Sequence, residues 1–211
     1  MDNGLNLTTS AGLVRLTSTG RYDFTRGQGL PVGVNTPAAG SVITSVPFYS
    51  TNTDVGVFAQ QEANYQDKII ATAGIRFDKS TLNGEFDRFY AFPRGSVAVN
   101  LAKFGNWAGD KVNQVKLRIA YGETGGVPTF GTPYTNLNVI STGGIGGLNV
   151  STAGGNPKIQ PERATELEYG VDFGLFGGRL TGEITLYNKK VFDLIQPLTT
   201  APTTGLSSVQ T

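Results

Sequence analysis

The sequence predicts an all-β chain: an antiparallel meander forming part of a large transmembrane β-barrel, incomplete within these 211 residues. Three observations carry this. Apolar and polar residues alternate with a period of two in many separate segments, as strands with one dry and one wet face require. Helical periodicity is nearly absent, and no stretch approaches the ~18 apolar residues of a membrane helix. The links between strands alternate long and short, as in barrels with short turns on one side of a membrane and long loops on the other.

Seven strands follow, read as 4–20, 51–65, 68–78, 89–103, 112–122, 163–175 and 179–192. The first is the poorest: Leu5, Leu7 and Ala11 oppose Asn6, Thr8 and Ser10. In the second, Val55, Val57, Ala59, Ala63 and Tyr65 oppose Gly56, Gln60, Glu62 and Asn64. A tight turn at Gln66-Asp67 leads to the third, where Ile69, Ala71, Ala73, Ile75 and Phe77 oppose Lys68, Thr72, Gly74, Arg76 and Asp78. The fourth sets Val97, Val99 and Leu101 against Ser96, Ala98 and Asn100. The fifth sets Val115, Leu117, Ile119 and Tyr121 against Lys116, Arg118, Ala120 and Gly122. The sixth is the clearest: Leu167, Tyr169, Val171, Phe173 and Leu175 oppose Glu166, Glu168, Gly170, Asp172 and Gly174. After a Gly177-Gly178 turn the seventh sets Leu180, Ile184 and Leu186 against Thr181, Glu183 and Thr185. Phe58, Ile70 and Tyr187 fall on the polar phase as exceptions.

A strand crossing hydrocarbon needs ~9–11 residues, and most of these segments meet that. Lipid tolerates no unpaired backbone, so a spanning sheet must close on itself. Candidate lipid-facing residues are therefore Val55, Val57, Ile69, Ile75, Leu117, Ile119, Val171, Phe173, Ile184 and Leu186. Candidate lumen-facing residues are Gln60, Glu62, Asn64, Arg76, Arg118, Glu166, Glu168, Asp172 and Glu183, whose charges suit a wide wet interior better than a small side-chain-filled barrel. Aromatics near strand ends (Phe86, Phe89, Tyr90, Phe92, Trp107, Tyr121, Phe176) fit interfacial girdles. Seven strands are too few, and odd in number, for a closed bacterial barrel, so further strands are expected before Met1 and after Thr211. The start, Met1-Asp2-Asn3-Gly4, reads as a turn rather than a signal peptide.

Composition narrows the chemistry. Glycine numbers 29, and charged residues make up only 16%, well under the ~25% norm. Histidine and cysteine are both absent, which removes the commonest general base and metal ligand and every thiol mechanism. A net charge of +1 gives no footprint for nucleic acid. No enzyme activity and no cofactor are expected.

Two segments carry a likeness beyond pattern. The run Asp54-Val-Gly-Val-Phe-Ala-Gln-Gln-Glu-Ala-Asn-Tyr-Gln-Asp-Lys-Ile-Ile-Ala-Thr-Ala-Gly-Ile-Arg-Phe-Asp78 resembles the mid-barrel hairpin of SusC/RagA-type TonB-linked outer-membrane proteins. Gly155-Asn-Pro-Lys-Ile-Gln-Pro-Glu-Arg-Ala-Thr-Glu-Leu-Glu-Tyr-Gly170 is similar to a recurring Asn-Pro…Pro-Glu…Glu signature late in TonB-dependent receptor barrels. Leu117–Gly125 and Tyr187–Ile195 match in the same order, so the likeness covers roughly residues 50–195. It implies a 22-stranded outer-membrane barrel with an N-terminal plug. It also implies import of large nutrients, glycans or peptides, with energy from the TonB complex and a SusD-like surface lipoprotein as partner. No plug, TonB-contacting segment or terminal aromatic strand is recognisable in this chain.

Rival readings are plainer or weaker. The stretch Gly122–Gly126 lacks the phosphate-loop pattern and joins no strand to a helix, so it reads as loop. Asp78, Asn83, Glu85 and Asp87 offer calcium-type oxygens without EF-hand spacing. A solvated turn is the simpler reading. Glu166 with Glu168 or Glu183 could be a hydrolytic pair, yet such charges belong on any polar lumen wall. A soluble all-β binding or adhesion protein is the alternative function. It predicts apolar rows packed in an interior, and no regular blade repeat supports it.

Overall fold

The computed structural model describes residues 4–105, 111–143 and 145–211. Seven long strands form one sheet: β1 (Leu5–Gln28), β2 (Val42–Tyr65), β3 (Ile69–Ser80), β4 (Tyr90–Asn100), β5 (Val112–Gly126), β9 (Glu162–Leu175) and β10 (Leu180–Phe192). Between β5 and β9 lie the short strands β6 (Leu137–Thr142), β7 (Ile145–Val150) and β8 (Ala153–Gly154), and after β10 come β11 (Pro197–Thr199) and β12 (Ser208–Gln210). The sheet order β1-β2-β3-β4-β5-β9-β10 follows the chain, and every neighbouring pair is antiparallel. This is the predicted meander.

Turn chemistry fixes the register. At the β2–β3 turn Gln66 and Asp67 both stand in the left-handed region, φ 51° and 52°, the primed-turn geometry that matches strand twist. Asn64 clamps this turn: its Oδ1 accepts the Asp67 amide at 2.8 Å and its Nδ2 donates to the Asp67 carboxylate at 2.7 Å. At the β9–β10 turn the Asn113 Oδ1 accepts the Gly177 and Gly178 amides at 2.7 and 3.2 Å. The turns also bind one another. Gln66 donates to the Gly4 carbonyl, Asn100 to that of Lys68 and Phe176 to that of Lys111, and Lys103 pairs with Asp67 at 3.4 Å.

The opposite end is built from loops. Ile159, with Asn83, Tyr90 and Phe92, is buried where the 81–89 and 127–161 loops meet, and the Gly84 amide donates to the Ile159 carbonyl at 2.9 Å. β8 pairs in parallel with β12, which pairs with β11, so the tail from Asp193 folds back onto the 127–161 loop.

Four expectations are corrected. β1 and β2 run to Gln28 and start at Val42, so the first loop is only 29–41. The extra length, 21–28 and 42–50, lies beyond a stretch that is polar on both faces (Thr17–Thr19 against Thr51–Thr53) and breaks the alternation, yet the backbone pairs throughout. The 123–162 connection is not structureless: it begins with the end of β5 and holds the β6–β7 hairpin. The fourth strand stops at Asn100, and Leu101–Phe104 form a 3-10 turn. That link, 101–111, is longer than the 81–89 loop on the other side, so sorting by length is imperfect although the two sides remain. Finally, Tyr90 and Phe92 are buried on the polar face rather than placed in a girdle. Trp107 lies outside the described residues.

Candidate functional site, a wall with one apolar and one polar face

Directly opposed residues of an antiparallel pair share a face. The register therefore assigns every strand residue to one of two sides. One row reads Leu5, Tyr65, Ile69, Val99, Leu117, Val171 and Ile184, one apolar residue from each strand. The next reads Leu7, Ala63, Ala71, Val97, Ile119, Tyr169 and Leu186. All ten residues read as lipid-facing (Val55, Val57, Ile69, Ile75, Leu117, Ile119, Val171, Phe173, Ile184 and Leu186) fall on this face. All nine read as lumen-facing (Gln60, Glu62, Asn64, Arg76, Arg118, Glu166, Glu168, Asp172 and Glu183) fall on the other.

Among the described residues nothing covers the apolar face. Ile184 is 60% exposed and Leu186 69%, and Val57, Ile75, Leu117, Ile119 and Val171 are exposed as well. Among the described residues the buried aliphatic and aromatic side chains, proline apart, are Tyr90, Phe92 and Ile159, all at the loop end. A water-soluble sandwich would bury these rows against a second sheet about 10 Å away. A contiguous apolar surface of this extent marks an interaction surface. Its one polar interruption, Thr9 opposite Gln61, is satisfied internally by a 2.5 Å hydrogen bond.

The apolar band also steps across the sheet. Measured from the first row, the run on β1, β2 and β3 extends only toward the loops, to Leu13, Val55 and Phe77. On β9 and β10 it extends toward the turns as well (Phe173, Leu175, Leu180) and stops sooner toward the loops, giving way to Thr165 and Asn188. A planar oily slab crossed by strands tilted to its normal requires such a diagonal step.

The polar face is organised around arginines. Arg118 Nε meets Asp172 Oδ1 at 2.9 Å, and its Nη2 reaches Thr185 Oγ1 at 3.0 Å and the Glu183 carboxylate. Arg76 Nε meets both Asp78 oxygens at 2.8 and 2.7 Å. Arg94 bonds the neutral Gln60. Sequence reading missed Arg94, because Pro93 and Gly95 interrupt the alternation around it, and Lys189, which sits in the unpatterned run Asn188-Lys189-Lys190. Both line a concavity of about 480 Å³ with Gln60, Ser96, Glu166 and Glu168. The exceptions Phe58 and Ile70 do face the polar side. The Phe58 ring occupies the space that a side chain at Gly12 would need, 2.6 Å from an ideal Cβ there.

The calcium-type cluster is not assembled as a site. Asp78 is held by Arg76, Asp87 by Lys79 at 3.2 Å and Glu85 by Arg88 at 3.0 Å, which matches the solvated-turn reading. Among the described residues no group of three or more carboxylates is placed to hold a metal ion. Glu166 and Glu168 share the polar face and line the same open concavity.

Comparison with known proteins agrees with this wall. A family model described as TonB dependent receptor-like, beta-barrel, matches residues 1–211. TonB-dependent receptor P3 of Formosa agariphila is 31% identical over 180 residues, covering 80% of this chain and 18% of that protein. TonB-dependent receptor SusC of Bacteroides thetaiotaomicron is 26% identical over 186 residues, covering 83% and 18% respectively. The structure of the RagAB peptide transporter superposes with a TM-score of 0.85 at 18% identity, over 100% of this chain and 24% of that one. The RagAB importer in its open-open state gives 0.72 at 16% identity, over 98% and 25%. The chain thus spans under a fifth of the length of these two curated relatives. With the fold and the relatives in agreement, this chain belongs to the TonB-dependent receptor-like β-barrel family, in its SusC/RagA-type branch.

Proposed function

We propose that residues 1–211 are one stretch of the wall of a 22-strand outer-membrane transporter that imports large nutrients, glycans or peptides, with TonB-transmitted energy. The observation that carries this reading is the uncovered apolar face with its diagonal band, backed by a polar, charged face on the same strands. The apolar side meets lipid, the polar side lines the lumen, and the short turns face the periplasm. The extended β1–β2 hairpin and the 127–161 loop then stand outside, where a SusD-like lipoprotein would cap the barrel. In this role the chain supplies surface and selectivity, with no chemistry and no cofactor.

The test uses the full-length protein in its host. It is expected in the outer-membrane fraction, with uptake of its nutrient abolished by a protonophore. Recovery of the full-length protein as a soluble species would reject the reading. So would nutrient uptake that continues without the proton gradient.

A further inference from the structure

We infer that the hollow over Gly122 on the polar face binds a ligand carrying both a carboxylate and a primary ammonium, as a short peptide with free ends does. The inference rests on the transporter reading above and narrows its substrate class.

Arg94, Gly122, Glu166 and Lys189 form one cross-strand row on β4, β5, β9 and β10. Neighbouring strands lie ~4.8 Å apart, so the Arg94 and Glu166 backbones are separated by about 10 Å with glycine between them. Nothing stands within 4 Å of where a Gly122 side chain would be, and the gap is part of the concavity of about 480 Å³. At Arg76–Asp78 and Arg118–Asp172 this face closes ion pairs. Here it leaves them open. Among the described residues Arg94, Glu166, Glu168 and Lys189 form no ion pair, and the Arg94 partner Gln60 is uncharged.

The four groups sum to zero charge, yet the charges are held apart. Lys189 balances one carboxylate, so the β9–β10 side presents one net negative charge opposite the Arg94 guanidinium. A wholly cationic or wholly anionic molecule is drawn to one side and repelled by the other. A neutral glycan gains only uncharged hydrogen bonds. A zwitterion laid across Gly122 places its carboxylate at Arg94 and its ammonium at Glu166 and Glu168, making charge-assisted hydrogen bonds at both ends.

The experiment is calorimetric titration of the purified full-length protein in detergent micelles with tri-alanine, its C-terminal amide, its N-acetyl form and the doubly blocked form. Arg94→Gln and the double variant Glu166→Gln/Glu168→Gln should each weaken tri-alanine binding by about tenfold or more. Arg94→Gln should leave affinity for the amide unchanged, and the double variant should leave affinity for the N-acetyl form unchanged. Tri-alanine affinities within twofold across all variants overturn the inference. Equal binding of the doubly blocked peptide overturns it too. If another segment of the full-length protein fills the hollow, Arg94→Gln lowers the melting temperature without changing tri-alanine binding, which also overturns it. Absence of tri-alanine binding, with energised uptake of another nutrient intact, rejects this site and leaves the transporter reading standing. Loss of outer-membrane residence rejects the transporter reading itself.

Discussion

The Arg118 guanidinium lies against the bare backbone of Gly170, its Cζ 2.7 Å from where a Cβ would stand. That close approach is what lets one arginine on β5 reach Asp172 on β9 and Glu183 and Thr185 on β10. Gly170→Ala is therefore expected to act through Arg118, by pushing the guanidinium off its carboxylates. Hydrogen bonds to charged groups are stronger than neutral ones, but this pair is partly exposed (28% and 23%), so solvent screening keeps the expected loss of stability small. In an Arg118→Gln background the same alanine should cost much less, a coupling that a double-mutant cycle measures. Additive costs would show that Gly170 matters only for its backbone.

The face assignment makes a second prediction, on adjacent residues. Ile75 lies on the exposed apolar face, and Arg76 next to it lies on the polar one. With Ile75 at the depth of the bilayer midplane, Ile75→Arg should cost ~2–4 kcal/mol in folding of the full-length protein into lipid vesicles. Arg76→Gln loses a partly exposed ion pair with Asp78 and should cost ~1 kcal/mol or less. Equal tolerance at the two positions would reverse or abolish the two-sided wall.

The same physics explains what was legible in the sequence. Inside an oily slab each strand must alternate, so the seven wall strands and the face of residues such as Leu117 and Glu168 follow from a period of two. Beyond the slab neither face needs to be apolar, and the signal fades. Thr17, Ser18 and Thr19 pair with Thr53, Asn52 and Thr51, polar on both faces, and it is there that the expected strands 4–20 and 51–65 stop short of the observed ones. Further out the apolar phase inverts: Tyr22, Phe24, Val46 and Phe48 stand on the side that carries the charges lower down. Phe48 there meets Phe130 of the 127–161 loop edge-on, with ring centroids 5.9 Å apart. Contacts such as Arg118–Gly170 were not legible, because they join strands whose pairing depends on a loop with its own internal hairpin.

Acid should loosen the turn end first at Asp67. The Asn64 amide, and then the Lys103 ammonium, hold this carboxyl below the ordinary carboxylate range. A carboxyl with a depressed folded pKa contributes stability that is fully present above its unfolded value, ~3.9 for aspartate, and that is lost as pH falls through the lower folded value. Asp67→Asn should remove that acid-side dependence, seen as a flatter stability profile below about pH 4, with no change near neutrality in its slope. Because Asp67 is exposed, the effect should shrink in high salt. A profile for Asp67→Asn that overlays the parent would show that the Asn64 clamp works without charge.

The Asn-Pro…Pro-Glu segment makes the last prediction, since its role is to pin loops. Asn156 donates from Nδ2 to the Gln210 carbonyl at 2.9 Å, accepts the Lys158 amide at 3.0 Å, and its own amide donates to Thr132. Glu162 Oε1 accepts the Ile195 amide at 2.9 Å. Asn156 thus ties the 127–161 loop to the tail at 193–211 and Glu162 ties the start of β9 to it, while Ile159, 2% exposed, is buried where the 127–161 and 81–89 loops meet. Asn156→Ala removes the two side-chain bonds, to Gln210 and from Lys158, keeps the backbone bond to Thr132 and does not touch the wall, and Ile159→Ala should cost ~2–5 kcal/mol of local packing. Local opening is governed by the contacts of the opening unit rather than of the whole sheet. Limited proteolysis of the full-length protein in lipid should therefore show faster cutting within 127–161 for both variants, and within 193–211 for Asn156→Ala, with strand amide exchange in β3, β4 and β5 unchanged. Faster exchange in those strands would mean that the loop junction and the wall open together, and that this cap is part of what holds the wall strands in register.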